Sequence, residues 1–137
     1  SIGSASTDRG AYLGAIALGY DFGNNNNVNY SIGGGLYNYD IATGVNTTNE
    51  WVHLFMTYNS TTKDVRIYIN GIQNIITTRA SVNLNSTYTR IGRLLSDTSY
   101  DFNGSIDEVG IWSRVISPDE VLRLYNAGNG LTYPFIN

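Results

Sequence analysis

An alternating run, Phe102-Asn-Gly-Ser-Ile-Asp-Glu-Val-Gly-Ile-Trp112, passes at once into Ser113-Arg-Val-Ile-Ser-Pro-Asp-Glu-Val-Leu-Arg-Leu-Tyr125. The first piece predicts a strand over Ser105 to Trp112, with Ile106, Glu108 and Gly110 set against Asp107, Val109 and Ile111. The second predicts a short helix. Ser117 is placed to cap it, Pro118 sits at the first helical position, and Asp119 and Glu120 put negative charge where the helix dipole favours it. Val121, Leu122, Leu124 and Tyr125 supply an apolar face, and Gly128 supplies a stop. The rest of the chain is β-pattern, so this one strand-plus-helix signature says more about the fold than any other segment. The expected fold class is all-β: an antiparallel sandwich with one short C-terminal helix.

Period-2 segments recur with turn signals between them. Ala11 to Tyr20 reads as a strand, and the Asn-rich stretch Asp21 to Asn27 reads as a loop. Val28 to Ile32 and Leu36 to Ile41 follow as strands, separated by Gly33-Gly34-Gly35. The clearest unit begins at Trp51. Trp51 to Tyr58 places Val52, Leu54, Met56 and Tyr58 on one face, and Asn59 to Lys63 has the length of a hairpin loop. In the return strand, Asp64 to Ile69, Val65, Ile67 and Ile69 share one face, with Arg66 and Tyr68 opposite. Asn70-Gly71 is a type I′ hairpin signal, because both central residues of that turn need positive φ. Ile72 to Thr78 continues the meander, and Tyr88 to Leu94 gives a further strand pattern. No internal repeat or linker interrupts the series, which implies a single domain over residues 1–137.

Composition removes several function classes. Charged residues make up 14% of the chain and the net charge is −3, so nothing draws it to nucleic acid. No stretch approaches the roughly 18 apolar residues of a bilayer-spanning helix, so membrane insertion is not expected. There is no cysteine, which excludes disulfides, a thiol nucleophile and thiolate metal sites. With one histidine, a multi-histidine zinc site is excluded too, and a Ser-His-Asp triad could use only His53. No nucleophile or carboxylate motif accompanies His53, which reads as a hydrogen-bonded structural residue. Trp51 and Trp112 read as core or edge packing. Five glycosylation-type triplets begin at Asn29, Asn46, Asn59, Asn85 and Asn103, and about three are expected by chance in so Asn/Ser/Thr-rich a chain.

Four segments carry a family resemblance. Trp51-Val-His-Leu-Phe-Met-Thr-Tyr58, Val65-Arg-Ile-Tyr-Ile-Asn-Gly71, Ile91-Gly-Arg93 and Phe102 to Trp112 follow one another in an order that resembles laminin-G-like, concanavalin A-like jelly-roll domains. The closing Ile116 to Gly128 resembles how those domains end. The likeness spans about Ala11 to Gly130 and implies two curved antiparallel sheets packed face to face. Such domains usually open with further strands, little of which is found before Ala11, so the expectation is either a trimmed domain that lacks its first strands or one whose first strands come from elsewhere.

The resemblance also implies a structural calcium ion, with Asp107 at the position of a ligand in related sandwiches. Asp97, Asp101 and Asn103 in the preceding loop supply further hard oxygen ligands of the type calcium requires. The alternative is that Asp107 hydrogen-bonds an adjacent loop while the others are solvated. A carbohydrate surface is the second candidate, since aromatic rings stack on sugars while amides and carboxylates bind hydroxyls. Tyr37, Tyr39, Tyr68, Tyr88 and Tyr100, with Asn38, Asp40 and Asn70, could line it, although any single tyrosine of the eleven is more often a packing residue. Catalysis is not expected. Asp107 and Glu108 are adjacent in the expected strand and would face opposite ways, and the Glu-x-Asp-x-x-Glu string of glucanases sharing this fold is missing. The expectation is a non-catalytic recognition module on a cell or virion surface, binding glycan or a surface protein. The alternative is a self-assembling structural subunit or decoration of a virion, fibre or surface assembly.

Overall fold

The computed structural model describes residues 16–20, 28–32, 39–42, 50–78, 91 and 104–131. The chain divides into two compact units, Ser1–Thr48 with Ala80–Ser105, and Asn49–Arg79 with Ile106–Asn137. The first contains a three-stranded antiparallel sheet in the order β1 (Ile16–Tyr20), β2 (Val28–Ile32), β3 (Tyr39–Ala42). Ile16 pairs with Ile32 and Tyr20 with Val28, while Val28 also pairs with Ala42 and Ser31 with Tyr39.

The second unit holds β4 (Leu54–Tyr58), β5 (Asp64–Ile69) and β6 (Ile72–Thr78), a meander with β5 at its centre, followed by the helix α1 (Pro118–Tyr125). Two tight connections fix its register. Between β4 and β5, the Asn59 carboxamide oxygen accepts the amides of Thr61 and Thr62 at 2.9 and 3.2 Å, and the Lys63 amide donates to the Asn59 carbonyl at 2.7 Å. Lys63 takes φ 65°, which lets the chain reverse. Between β5 and β6, Asn70 and Gly71 stand at φ 51° and 76°, both positive as the Asn-Gly signal requires. That turn is anchored from outside as well. The Asn70 amide donates to the His53 carbonyl at 2.9 Å, and the His53 amide donates to Asn70 Oδ1 at 3.0 Å.

Both faces of β5 carry buried side chains. Leu54, Met56 and Tyr58 pair in register with Ile69, Ile67 and Val65, so the apolar positions expected on one face do share it. Val65 and Ile67 are fully buried there, each contributing about 1.5–3 kcal/mol. On the opposite face Phe55 pairs with Tyr68 and Thr57 with Arg66. Phe55, Tyr68, Ile116 and Val121 form a core cluster on this side, with Trp112 and Leu124 against it. A register shift in the β5–β6 ladder falls between Ile67 and Tyr68.

The helix begins as its sequence dictates. Ser117 Oγ accepts the Glu120 amide at 3.3 Å, and Glu120 Oε2 accepts the Ser117 amide at 2.9 Å, so two orphan N–H groups of the first turn are satisfied reciprocally. Val121 is fully buried, whereas Leu122 on the expected apolar face is 53% exposed. The helix ends at Tyr125, ahead of Gly128, because Asn126 takes the left-handed conformation (φ 47°) and its amide donates to the Leu122 carbonyl.

Two expectations are corrected here. The segment Ser105–Trp112 is not a strand: it is irregular and exposed almost throughout, with Glu108 at φ 50°. Trp51 is not packed in the core but is 69% exposed, three residues before β4 begins. Trp112 does pack, its ring centroid 5.0 Å from that of Phe55. Of the expected strand Tyr88 to Leu94, only Ile91 lies among the described residues.

Candidate functional site

The helix-side face of β4 and β5 changes character along its length. At one end, α1 covers Phe55 and Tyr68. At the other, where the strands run into the Asn59–Asp64 hairpin, the same face carries Thr57, Asp64 and Arg66. There the chain leading into the helix, Val115 to Pro118, stands opposite the strands and leaves a cleft of about 240 Å³. Thr57 is buried, while Asp64 and Arg66 are each about one-third exposed, with Arg66 Nη2 3.8 Å from Asp64 Oδ2. That separation is a loose ion pair rather than a formed hydrogen bond. Tyr68 lines the cleft from its buried end. The residue is 1% exposed, and its hydroxyl is buried with no hydrogen-bond partner.

Beyond the cleft, Arg114 and Glu120 are committed to structure. Arg114 forms a bidentate pair with Glu120, at 2.5 Å to Oε1 and 2.9 Å to Oε2. The Arg114 guanidinium, with the amide and hydroxyl of Ser117, holds the Glu120 carboxyl down at a pKa of about 2. His53 is half-buried, 5.9 Å from the Tyr125 ring and 6.2 Å from the Phe55 ring between centroids. Its Nδ1 is buried without a partner, and burial lowers its pKa, so the neutral ring is favoured.

The residues singled out in the sequence fall in different places. The Tyr68 ring lies in the core, so its faces are occupied by packing, and its hydroxyl is buried as well. Asn70 is in the β5–β6 turn, its carboxamide oxygen taken by His53. Tyr39 opens β3 opposite Ser31. Asp107 is exposed, and its Oδ1 accepts the amide of the adjacent Glu108 at 2.8 Å, a local interaction of the kind offered as the alternative to a metal role. Tyr37, Tyr88, Tyr100, Asp97, Asp101 and Asn103 lie outside the described residues. Among the described residues no group of three or more His, Asp or Glu side chains converges as a metal site, and of the four expected calcium ligands only Asp107 is among them. Sequence reading missed Thr57, Asp64 and the loop Val115–Pro118. The available signal was the i, i+2, i+4 spacing of Asp64, Arg66 and Tyr68, which puts all three on one face.

Antiparallel meanders with a capped C-terminal helix define this as an all-β domain. The comparisons place it further. The model of a laminin-G-like domain, described as the concanavalin A-like lectin/glucanases superfamily, matches residues 2–122, and the chain belongs to this family, whose fold is a β-sandwich. A crystal structure of an S-layer domain-containing protein (residues 221-444) from Clostridium thermocellum ATCC 27405 is similar, with a TM-score of 0.51 at 20% identity. The match covers 91% of this chain and 69% of that one, and at such identity the likeness concerns the fold. No curated protein matches the sequence significantly.

Proposed function

We propose that this chain is a non-catalytic recognition module of a cell or particle surface that binds glycan. The observation that carries the reading is the mixed polar and apolar cleft beside the helix, in a domain whose family includes lectins. Glu120 is tied to Arg114 and the helix cap, which keeps this one carboxyl from serving as a general acid. The jelly-roll topology of the parent fold and an extracellular location are part of the same reading.

A second reading has its own support. Ile106, Val109, Ile111 and Val115 leave an exposed apolar run, and the S-layer domain protein of similar fold is named for a surface layer, so a structural subunit that self-assembles or holds a surface protein is the alternative. A structural calcium ion held through Asp97, Asp101, Asn103 and Asp107 is compatible with either.

A glycan array probed with the full chain, combined with sedimentation analysis and an oligosaccharide hydrolysis assay, tests these readings. Binding by a monomer without hydrolysis is expected. Concentration-dependent assembly without glycan binding would move the assignment to the structural subunit, and hydrolysis would overturn both. Melting with calcium and with chelator tests the ion, with a higher midpoint in calcium as the expected result.

A further inference from the structure

We infer that Asn59, in the β4–β5 hairpin loop, is an acceptor site for an N-linked glycan transferred from a lipid pyrophosphate-linked oligosaccharide. This goes beyond the glycan-binding reading and does not rest on it: here the chain carries a sugar instead of binding one.

The five Asn-x-Ser/Thr triplets cannot be ranked by sequence, because each satisfies the same pattern. Backbone state ranks the two that fall among the described residues. Asn29-Tyr30-Ser31 lies in β2, the central strand of its sheet, with Asn29 paired to Gly19 on one side and Ile41 on the other. A transferase gripping that triplet would have to break both ladders. Asn59-Ser60-Thr61 lies outside the strands, in the connection from β4 to β5, and Ser60, Thr61 and Thr62 are all exposed.

The two polar atoms of the Asn59 carboxamide have separate roles. Oδ1 accepts the amides of Thr61 and Thr62 at 2.9 and 3.2 Å, an Asx turn that fixes the side chain. Nδ2, the atom that takes the sugar, makes no hydrogen bond among the described residues and is not enclosed. The hydroxyl that the motif requires two residues on belongs to Thr61, which is exposed, and it too is uncommitted.

In the transfer, Nδ2 forms a bond to the sugar C1 and the C1–O bond to the pyrophosphate breaks. The lipid pyrophosphate leaves with that electron pair, one Nδ2 proton passes to a base of the transferase, and nothing is oxidised or reduced. Oδ1 keeps its lone pairs throughout. Both Asx-turn bonds therefore survive in the product, as does the Lys63 amide bond to the Asn59 carbonyl at 2.7 Å. The hairpin that presents the acceptor can thus carry the glycan without rearrangement. Asn59 also borders the cleft, so the attached sugars stand at its rim.

The test is incubation of the folded, unmodified full chain with a purified oligosaccharyltransferase and a lipid pyrophosphate-linked oligosaccharide, with occupancy read by peptide mass mapping. Modification of Asn59 with none at Asn29 is expected. Thr61→Ala should abolish it and Thr61→Ser should retain it, because the motif needs the hydroxyl. Thr62→Ala keeps the Thr62 amide in place and should leave occupancy within about twofold. The glycosylated chain should melt no lower than the unmodified one. Absence of transfer to Asn59, under conditions that modify a short Asn-x-Thr control peptide, would overturn the proposal. Modification of Asn29 at an equal or higher rate would overturn it as well. So would a glycosylated form that melts markedly lower, since the hairpin would then have to open to hold the sugar.

Discussion

Residues 64–69 and 105–112 carry the same kind of alternation and end in opposite states. In the first, Val65 and Ile67 are fully buried and Tyr68 is 1% exposed; in the second, Ile106 is 38%, Val109 55% and Ile111 83% exposed. Hydrophobic spacing does not separate them; what stands beside each segment in the chain does. β5 has a partner on each side, one reached through the Asn59–Asp64 hairpin and the other through the two-residue Asn70-Gly71 turn, so its ladders close at little entropic cost. Among the described residues the 105–112 segment has no such hairpin neighbour. At its centre the Glu108 amide is taken by Asp107 Oδ1, and Glu108 itself stands at φ 50°, outside the extended region. A side chain competing for a backbone donor, together with one left-handed residue, interrupts the run. Alternation supplies a face; a strand also needs a free backbone and a near partner.

The largest expected effect tests the buried side of this contrast. Ile67→Ala should lower the unfolding free energy by about 2–5 kcal/mol, measured by denaturant unfolding, because a fully enclosed side chain leaves a cavity. A loss well under 1 kcal/mol would mean that β5 is not held as described. Gly71→Ala comes next. The left-handed conformation (φ 76°) costs an L-residue about 1–2 kcal/mol, and the new Cβ would stand 2.9 Å from Leu122 Cδ1 and 3.1 Å from Tyr125 Cδ1. The expected result is a lower melting temperature with more helix loss than Ile67→Ala causes, since the clash falls on α1.

The same contrast explains what could be read in advance. The bounds of β2, β5 and β6 and the start of α1 follow from local signals: alternation bracketed by turns, Asn-Gly, and Ser-Pro-Asp-Glu with its capping geometry. Ser105–Trp112 was misread because the Asp107–Glu108 interaction is invisible to a pattern of apolar spacings. The cleft was hidden for a related reason. Arg66 and Tyr68 were legible as sharing a face, but that face became half core and half cleft only once α1 lay over Phe55 and Tyr68. The tyrosine positions that suggested a sugar surface gave residue type without burial, and Tyr68 shows how much that omits.

Acid should affect the helix-covered side of β5 in two separate windows. His53 has its pKa lowered by burial, so the unfolded chain binds the proton more readily than the folded one. Its contribution is therefore complete above the ordinary histidine value of 6.5 and falls as pH drops from there through the folded-state value. Glu120 is lowered from 4.5 to about 2, so its contribution persists to lower pH and fades only between those values. Melting temperature followed from pH 8 to pH 2 should decline in two stages, and His53→Gln should remove the first while leaving the second. Loss of the second stage alone in that variant would reverse the assignment.

The smallest effect tests the exposed side. Ile111→Ser should change stability by no more than about 0.5 kcal/mol, the range for surface positions without special roles, because Ile111 is 83% exposed. Were Ser105–Trp112 a paired strand with Val109 and Ile111 facing a core, the same change would remove a buried side chain and insert an unpartnered hydroxyl, each costing several times more. Backbone amide exchange gives an independent reading of the segment. The amides of Val65 and Ile67 should exchange only with global unfolding, while those of Val109 and Ile111 should exchange through local opening at far lower cost. Glu108→Gly sharpens the point, since it relieves the left-handed residue without adding a partner. If relief of that strain were enough to form a strand, exchange at Val109 and Ile111 would slow in this variant. If relief of that strain is not enough, exchange stays fast, and that is the expected outcome.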